Sequence, residues 1–409
     1  MSALLEALLL RAGHNAAVVA VGAALLGFSA GAAGTFLFLR KRALVSDAVA
    51  HATLPGVGLA FLAMVAFGGA GRDLAGLLAG SAATAVAGLL AADWIVRHTR
   101  LGEDAAIGAV LSAFFGVGVV LLTVIQSMTH GRQAGLQSFL LGSTAGMLFE
   151  DAVVVAVGGA LTVLAVAVLR RPMTLVAFDE TYAAATGVSV RRTDLAITGL
   201  ATAVTVIGLK IVGLVLIVAL LIVPAVTARF WTERAERMIW ISGGLGALSG
   251  FVGAVLSASA PAVPTGPIIV IVAFALFVLS LLFAPALGLV AALLRHRRFR
   301  RRLHLRQGLL ALARGEPIHD RLTLRTLRRA GCLRADAAAT EAGRAQAAQA
   351  ALDERRWEAA RQVHGASAGR YDGLTPVEAL FTADEIAELD RRIGGLRAMA
   401  PGPAGDAPA

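Results

Sequence analysis

Ser46-Asp47-Ala48-Val49-Ala50-His51-Ala52-Thr53-Leu54-Pro55-Gly56-Val57-Gly58 is an apolar stretch broken only by a carboxylate and an imidazole four residues apart. The run continues uncharged to residue 68, which is enough chain to cross a hydrocarbon core at about 20 residues per span. In a helix, Asp47 and His51 stand at i and i+4, so both project from one face and can reach a shared ligand. An aspartate within a span costs roughly 2.5 to 3.5 kcal/mol, so such groups face a cavity or a partner. One carboxylate oxygen with one imidazole nitrogen is a borderline donor set, better suited to manganese, iron or zinc ions than to sugars or lipids. Pro55, with Gly56 and Gly58, is expected to kink or unwind the helix one turn later and open backbone carbonyls to a cavity. The alternative is structural: Asp47 caps the helix beside an arginine-rich connector and His51 bonds a neighbouring carbonyl. Two residues alone do not complete a coordination shell.

The rest of the chain has the same solvent in view. Of 409 residues, 57% are hydrophobic and 16% charged, against roughly 25% charged in an average soluble domain. Apolar runs lie near 15–39, 46–68, 74–96, 105–126, 149–169, 193–209, 211–230, 238–258 and 265–290, the sixth and seventh short and closely spaced. The first is too long for a signal-peptide core and reads as a span. The net charge of +10 would suggest nucleic acid in a soluble protein. Here the basic residues sit in alternate connectors: Arg40, Lys41 and Arg42, then Arg97 and Arg100, then Arg170, Arg171, Arg191 and Arg192, then Arg229, Arg234 and Arg237, then a block from Arg295 to Arg306. All fall on one side if the N-terminus is outside and the C-terminus cytosolic. Gly22, Gly27, Gly31 and Gly34, and Gly76, Gly80 and Gly88, are placed to let helix backbones approach closely. Pro224 reads as a second helix kink. Cys332 is the single cysteine, which excludes an intrachain disulfide.

The expected architecture is an all-α polytopic membrane protein of about eight to nine transmembrane helices, N-terminus outside and C-terminus cytosolic. Residues 1–295 form the transmembrane domain, with 172–194 as a cytosolic connector inside it. A small helical or winged-helix-like cytosolic domain follows over 303–399, and the Pro/Gly/Ala tail 400–409 is expected to be disordered. In the connector, Asp179 and Glu180 open a short amphipathic helix that closes near Gly187. It either docks a cytosolic partner or lies at the membrane interface. Glu103 and Asp104 are expected to cap the fourth span and pair with Arg97 and Arg100. Lys210 is placed as an anchor between the sixth and seventh runs. His14, Gln126, His130 and Gln137 read as solvated outer-loop residues.

The stretch from Ser46 to Gly58 resembles the hallmark of the ABC-3 permeases, the membrane subunits of ATP-binding-cassette importers for manganese, zinc and iron. Three further segments are similar to that family in the same order: Leu101-Gly102-Glu103-Asp104-Ala105-Ala106-Ile107-Gly108, then Phe178-Asp179-Glu180-Thr181-Tyr182-Ala183 through Gly187, then Val212-Gly213-Leu214 through Val223-Pro224-Ala225 to Arg229. Pro264-Thr265-Gly266-Pro267 resembles the start of the family's last span. The resemblance covers about residues 10–290.

It implies Asp47 and His51 as metal ligands, a bacterial inner-membrane location, and a transported divalent metal ion with no permanently bound cofactor. It also implies a second permease copy, identical or paralogous, an extracytoplasmic metal-binding protein, and a cytosolic ATPase docked on the helix carrying Phe178, Asp179, Glu180, Tyr182, Ala183 and Gly187. The chain itself is not expected to be an enzyme. Its two lysines, Lys41 and Lys210, stand outside any G-x-x-x-x-G-K-[ST] loop, so ATP hydrolysis must come from another polypeptide.

Beyond residue 303 the pattern turns charged and Ala-rich. Residues 319–344 are similar to a winged helix, and Arg355-Arg356-Trp357-Glu358 to the helix after the wing in metal-dependent repressors of the diphtheria-toxin-repressor type. Tethering at the membrane and mixed charge argue against nucleic acid as a partner, and fold alone does not give function. The expected role is packing or regulation against the ATPase or the second copy. The rivals to the metal-ion permease are a permease for metal chelates such as siderophores and a membrane-anchored metal sensor with a DNA-binding-like output domain.

Overall fold

The computed structural model describes Glu6 and residues 13–69, 71, 73–128, 146–259, 263–334, 336–363 and 374–399. His130, Gln137 and the tail 400–409, named above, lie outside the described residues. Two compact units emerge, Met1–Ala291 and Ala292–Ala409.

The first unit is built of helices α1 (His14–Leu39), α2 (Ala43–Ala66), α3 (Leu74–His98), α4 (Glu103–Ser127), α5 (Phe149–Phe178), α6 (Glu180–Ala185), α7 (Val190–Val212), α8 (Leu214–Arg229), α9 (Ala235–Ala258) and α10 (Thr265–Phe283). Among the described residues eight are long and apolar enough to cross a membrane: α1 to α5, α7, α9 and α10. The seventh of the nine expected runs is the exception. It forms α8, whose 16 residues span only about 24 Å at 1.5 Å per residue.

Two sub-bundles share the unit. Helix α1 packs on α5, α7, α8 and α9, whereas α2 packs on α3 and α4, with α7 touching both groups. The α1–α9 contact is made by glycine. A Cβ on Gly27 would collide with the carbonyl of Gly246, one on Gly246 with that of Gly27, and one on Gly31 with that of Ser242. Ser242 Oγ donates to Gly31 O across the same seam (2.7 Å). With lipid outside as apolar as any side chain, close backbone approach of this kind is what holds helices together.

The basic connectors gather at one end. Arg40 after α1 reaches the end of α5 and the start of α7, and Arg170 of α5 lies 3.9 Å from Glu236 of α9. Phe230 O, after α8, accepts from Leu287 N, after α10 (3.2 Å). Short as it is, α8 returns the chain to this arginine-rich end. Gly213, at φ 79°, makes the one-residue turn from α7 into α8, a left-handed conformation that costs a side chain but not glycine.

Several expected boundaries move. The connector read as 172–194 starts only at Asp179, because α5 continues through Pro172 to Phe178. Proline removes one hydrogen bond, and neighbouring helices in a bundle hold the chain helical around it. For the same reason Pro55 leaves α2 unbroken from Ala43 to Ala66, and the expected unwinding there is absent. Helix α8 likewise runs through Pro224. Lys210 lies inside α7 rather than between two spans: its charge ended an apolar run without ending the hydrogen-bond ladder. The last run stops at Phe283 rather than 290, closed by Ala284 N donating to Ser280 O (2.9 Å).

The second unit begins within α11 (Leu289–Arg314) and adds α12 (Arg321–Arg329), α13 (Glu341–Val363), one 3₁₀ turn (Val377–Ala379) and α14 (Ala383–Met399). Where a winged helix carries a two-stranded wing, a single antiparallel bridge joins Leu333 and Ala339. Two small cores form. Leu309, Leu327, Cys332, Leu333 and Ala347 make one, and Trp357, Val377, Phe381 and Leu389 with neighbouring alanines the other. Burial pushes the Cys332 thiol above its usual range, which makes it a packing residue rather than a nucleophile.

Candidate metal site and coupling segment

Helix α2 puts Asp47 and His51 on one face, as the i, i+4 spacing requires. His51 Nε2 lies 3.5 Å from Asp47 Oδ1, with 23% of the imidazole and 41% of the carboxylate side chain exposed. That separation is long for a hydrogen bond. The ring edge meets Phe115 of α4, centroids 5.0 Å apart at 88°, which fixes its plane. His51 Nδ1 is buried with no hydrogen-bond partner among the described residues. Arg42, not Asp47, is the N-cap of α2, and among the described residues no carbonyl bonds the buried nitrogen of His51. Pro55 brings no N–H to the helix, so the carbonyl of His51, four residues earlier, lacks its usual helical donor.

The pair is not a closed shell. Among the described residues no group of three or more His, Cys, Asp or Glu could hold a metal ion. Nor does the pair line the cavity of about 130 Å³ at the arginine-rich end, which is walled by Val45, Ala48 and Val49 on the other face of α2 and by Ile107 and Val110 of α4. What the pair offers is one oxygen and one nitrogen donor on an open face. Such a donor set can receive a divalent cation and release it.

The segment after α5 forms one short capped helix. Asp179 caps α6, its side chain accepting from Tyr182 N (2.8 Å). Gly187, at φ 84°, closes the helix, with Val188 N donating to Ala183 O (3.0 Å). Ala183 is fully buried, while Phe178 and Tyr182 are 68% and 58% exposed. The short helix is thus anchored through Ala183 and exposes Tyr182, with Phe178 exposed at the end of α5.

That anchoring was not legible beforehand. Arg40, its side chain only 8% exposed, donates to Val176 O (3.0 Å), to Glu180 Oε1 (2.6 Å) and to Asp194 Oδ2 (2.9 Å). Arg42 bonds Glu103 (2.6 Å) and shares Asp194 (3.2 Å). Glu103 therefore pairs with Arg42 and not with Arg97, which is occupied by Asp93 one turn earlier on its own helix (2.8 Å). The only advance signal was the clustering of Arg40 and Arg42 in one connector. Their partners lie as far as 154 residues away.

A family model described as the ABC 3 transport family matches residues 14–284. The chain belongs to that family. It is 42% identical over 308 residues to the manganese transport system membrane protein MntC of Bacillus subtilis (strain 168), covering 75% of this chain and 70% of that protein. With the zinc transport system membrane protein TroC of Treponema pallidum (strain Nichols) it shares 35% over 280 residues, 68% and 92% of the two chains. Among solved structures, PsaBC from Streptococcus pneumoniae in complex with Fab matches with a TM-score of 0.59 at 29% identity, over 67% of this chain and 94% of that one. This ABC 3 family member is therefore a multi-pass protein of the bacterial inner membrane. An ABC-type family implies a partner ATPase and a substrate-binding protein. Its relatives are transport subunits rather than enzymes. The matched region contains α1 to α9 and reaches just past the end of α10, so both the α2 pair and α6 fall inside it.

Proposed function

We propose that this chain is the membrane-spanning permease subunit of an ATP-driven importer for divalent transition-metal ions of the manganese, zinc and iron class, with Asp47 and His51 as transient ligands in the pathway. The observation that carries the reading is an aspartate and a histidine on one open face of a span, the histidine with a buried, unpartnered ring nitrogen. Two chains, identical or paralogous, set face to face would bring four donors together, the number a tetrahedral site uses. The metal is cargo, so a shell that is incomplete in one chain favours release.

The arginine-rich end faces the cytosol in this reading, and the N-terminus lies outside. A cytosolic ATPase docks on α6 and the end of α5 through the exposed rings of Tyr182 and Phe178, and an extracytoplasmic protein delivers the ion. The helices of residues 303–399 act as a packing or regulatory module beside the ATPase. The arginine block of α11 meets anionic lipid headgroups, each residue near the surface contributing about 1 kcal/mol.

Uptake of manganese, zinc or iron ions into vesicles holding the chain with its ATPase is the direct test. Asp47→Ala together with His51→Ala should lower uptake roughly tenfold or more while leaving the protein folded. Unchanged uptake in the double variant sinks the site. Transport confined to a bulky metal chelate, indifferent to both residues, would favour the chelate permease. Sequence-specific DNA binding by the chain without metal flux would favour the sensor.

A further inference from the structure

The two arginines after α1 tie together elements that the proposed function assigns to different tasks. Arg40, Lys41 and Arg42 form the turn from α1 into α2, with Lys41 at φ 59° and Arg42 N donating back to Leu37 O (2.9 Å). From this turn Arg40 grips α6 through Glu180, α5 through the Val176 carbonyl and α7 through Asp194. Arg42 grips α4 through Glu103 and α7 through the same Asp194. Helix α2 starts at the next residue, and Asp47 follows Arg42 by about 7.5 Å of helix rise. A displacement of α6 therefore has a short, charged route to the helix that carries the Asp47–His51 pair.

We propose that Arg40, with Asp194 and Arg42, is the positioning linkage that converts movement of α6 into a change in the Asp47–His51 site. This rests on the reading of α6 as the ATPase contact and of the pair as the metal site. Three features suit the task. The Arg40 and Asp194 side chains are 8% and 18% exposed, so the link is stiff and little screened. Glu180 is 57% exposed, so the α6 end of the link lies at the surface where a partner can shift it. Arg40 Nε and Asp194 Oδ1 are buried without hydrogen-bond partners among the described residues. A donor and an acceptor left over in one network give it a second arrangement to move into, and two discrete arrangements are what coupling between sites requires.

The test uses the complete transporter, permease with its ATPase and binding protein, in proteoliposomes, with ATP hydrolysis and uptake of manganese or zinc ions measured on the same preparation. Glu180→Gln cuts the α6 contact and leaves the buried Arg40–Asp194 pair in place, so folding is not at issue. Arg40→Lys keeps the charge but loses the fork that spans three partners. Both variants are expected to carry roughly tenfold fewer ions per ATP hydrolysed, whatever the absolute rate of hydrolysis, a ratio within the range of coupling between sites. Equal ion-to-ATP ratios in variant and parent overturn the linkage, as does a proportionate fall in both rates. If Arg40→Lys does not fold, Glu180→Gln decides alone. Failure of the linkage is separable from failure of the site. In the first case Asp47→Ala with His51→Ala still lowers uptake and Glu180→Gln has no effect on coupling, whereas in the second the Asp47→Ala, His51→Ala double variant has no effect.

Discussion

Two polar clusters flank the start of α2, and they are built in opposite ways. Around Arg40 and Arg42, carboxylates from α4, α6 and α7 pair with the two guanidinium groups within a single chain, with Arg40 and Asp194 at the buried end and Glu103 and Glu180 towards the surface. At Asp47 and His51, one helix turn further on, both donors come from α2 alone and the face stays partly open. The first arrangement resists opening, since taking one partner from a buried pair strands the other. The second gives up little when emptied, which suits a ligand that passes through. A polar group in a membrane protein is thus either satisfied from within or kept for a visitor, and the difference can be measured.

Asp194→Ala should bring the largest effect. It removes the buried partner that Arg40 and Arg42 share and leaves them the more exposed Glu180 and Glu103, and loss of one partner of a buried pair costs about 3 kcal/mol. Thermal unfolding of the detergent-solubilised protein would register it as a lowered midpoint. Asp47→Ala in the same assay should stay within about 0.5 kcal/mol of the parent, because no neighbour depends on the carboxylate. Equal losses from the two variants would erase the contrast.

The apolar counterpart is the glycine seam. Gly27→Val would drive a branched side chain into the Gly246 carbonyl, and overpacking costs about 2 kcal/mol. Gly244→Val on the same helix α9 has open space and should be silent in the same melt. That contrast would show whether α1 and α9 are held by contact or merely by lipid.

The sequence carried the apolar runs, the α2 pair and the glycine spacing, because each is written in neighbouring residues and a fixed helical period. Asp47 and His51 needed only α2 to be helical. Arg40 was invisible as a linkage because its partners, Val176, Glu180 and Asp194, lie 136 to 154 residues away, and no local pattern records them. The misplaced boundaries have two origins. Pro172 and Pro55 are poor helix residues, and packing around the helix outweighs a propensity penalty of about 3 kcal/mol each, whereas Lys210, a good helix former, ended an apolar run by its charge alone. The short seventh run was legible as short, but its one-residue turn at Gly213 was not.

The smallest effects belong to the second unit, and there the sign is the test. Arg356 forms a two-pronged bond with Asp390 (2.7 Å on each arm) and lies 3.8 Å from Asp353 and 3.7 Å from Glu378. The hydrogen bonds from Arg356 hold the Asp390 carboxyl below its usual range. The stability it contributes is present above the unfolded aspartate value, about 3.9, and is lost as pH falls through the depressed folded value. Asp353 is opposite: burial first, and then Glu378, raise its carboxyl despite Arg356. Its contribution is favourable only when protonated, and is lost as pH rises through the raised folded value. At pH 7, Asp390→Asn should therefore loosen α13 and α14 and Asp353→Asn tighten them, each by up to about 1 kcal/mol given the solvent around the pair. Hydrogen exchange of these two helices in the full chain reads both. The Asp390→Asn penalty should fade as pH drops below about 4, because protonation then removes from the parent the charge that the variant lacks. The Asp353→Asn gain should fade for the same reason, beginning at a higher pH. Two variants shifting protection in the same direction at pH 7 would mean that Arg356 does not discriminate between its acidic neighbours, and that this cluster behaves as an unstructured patch of charge.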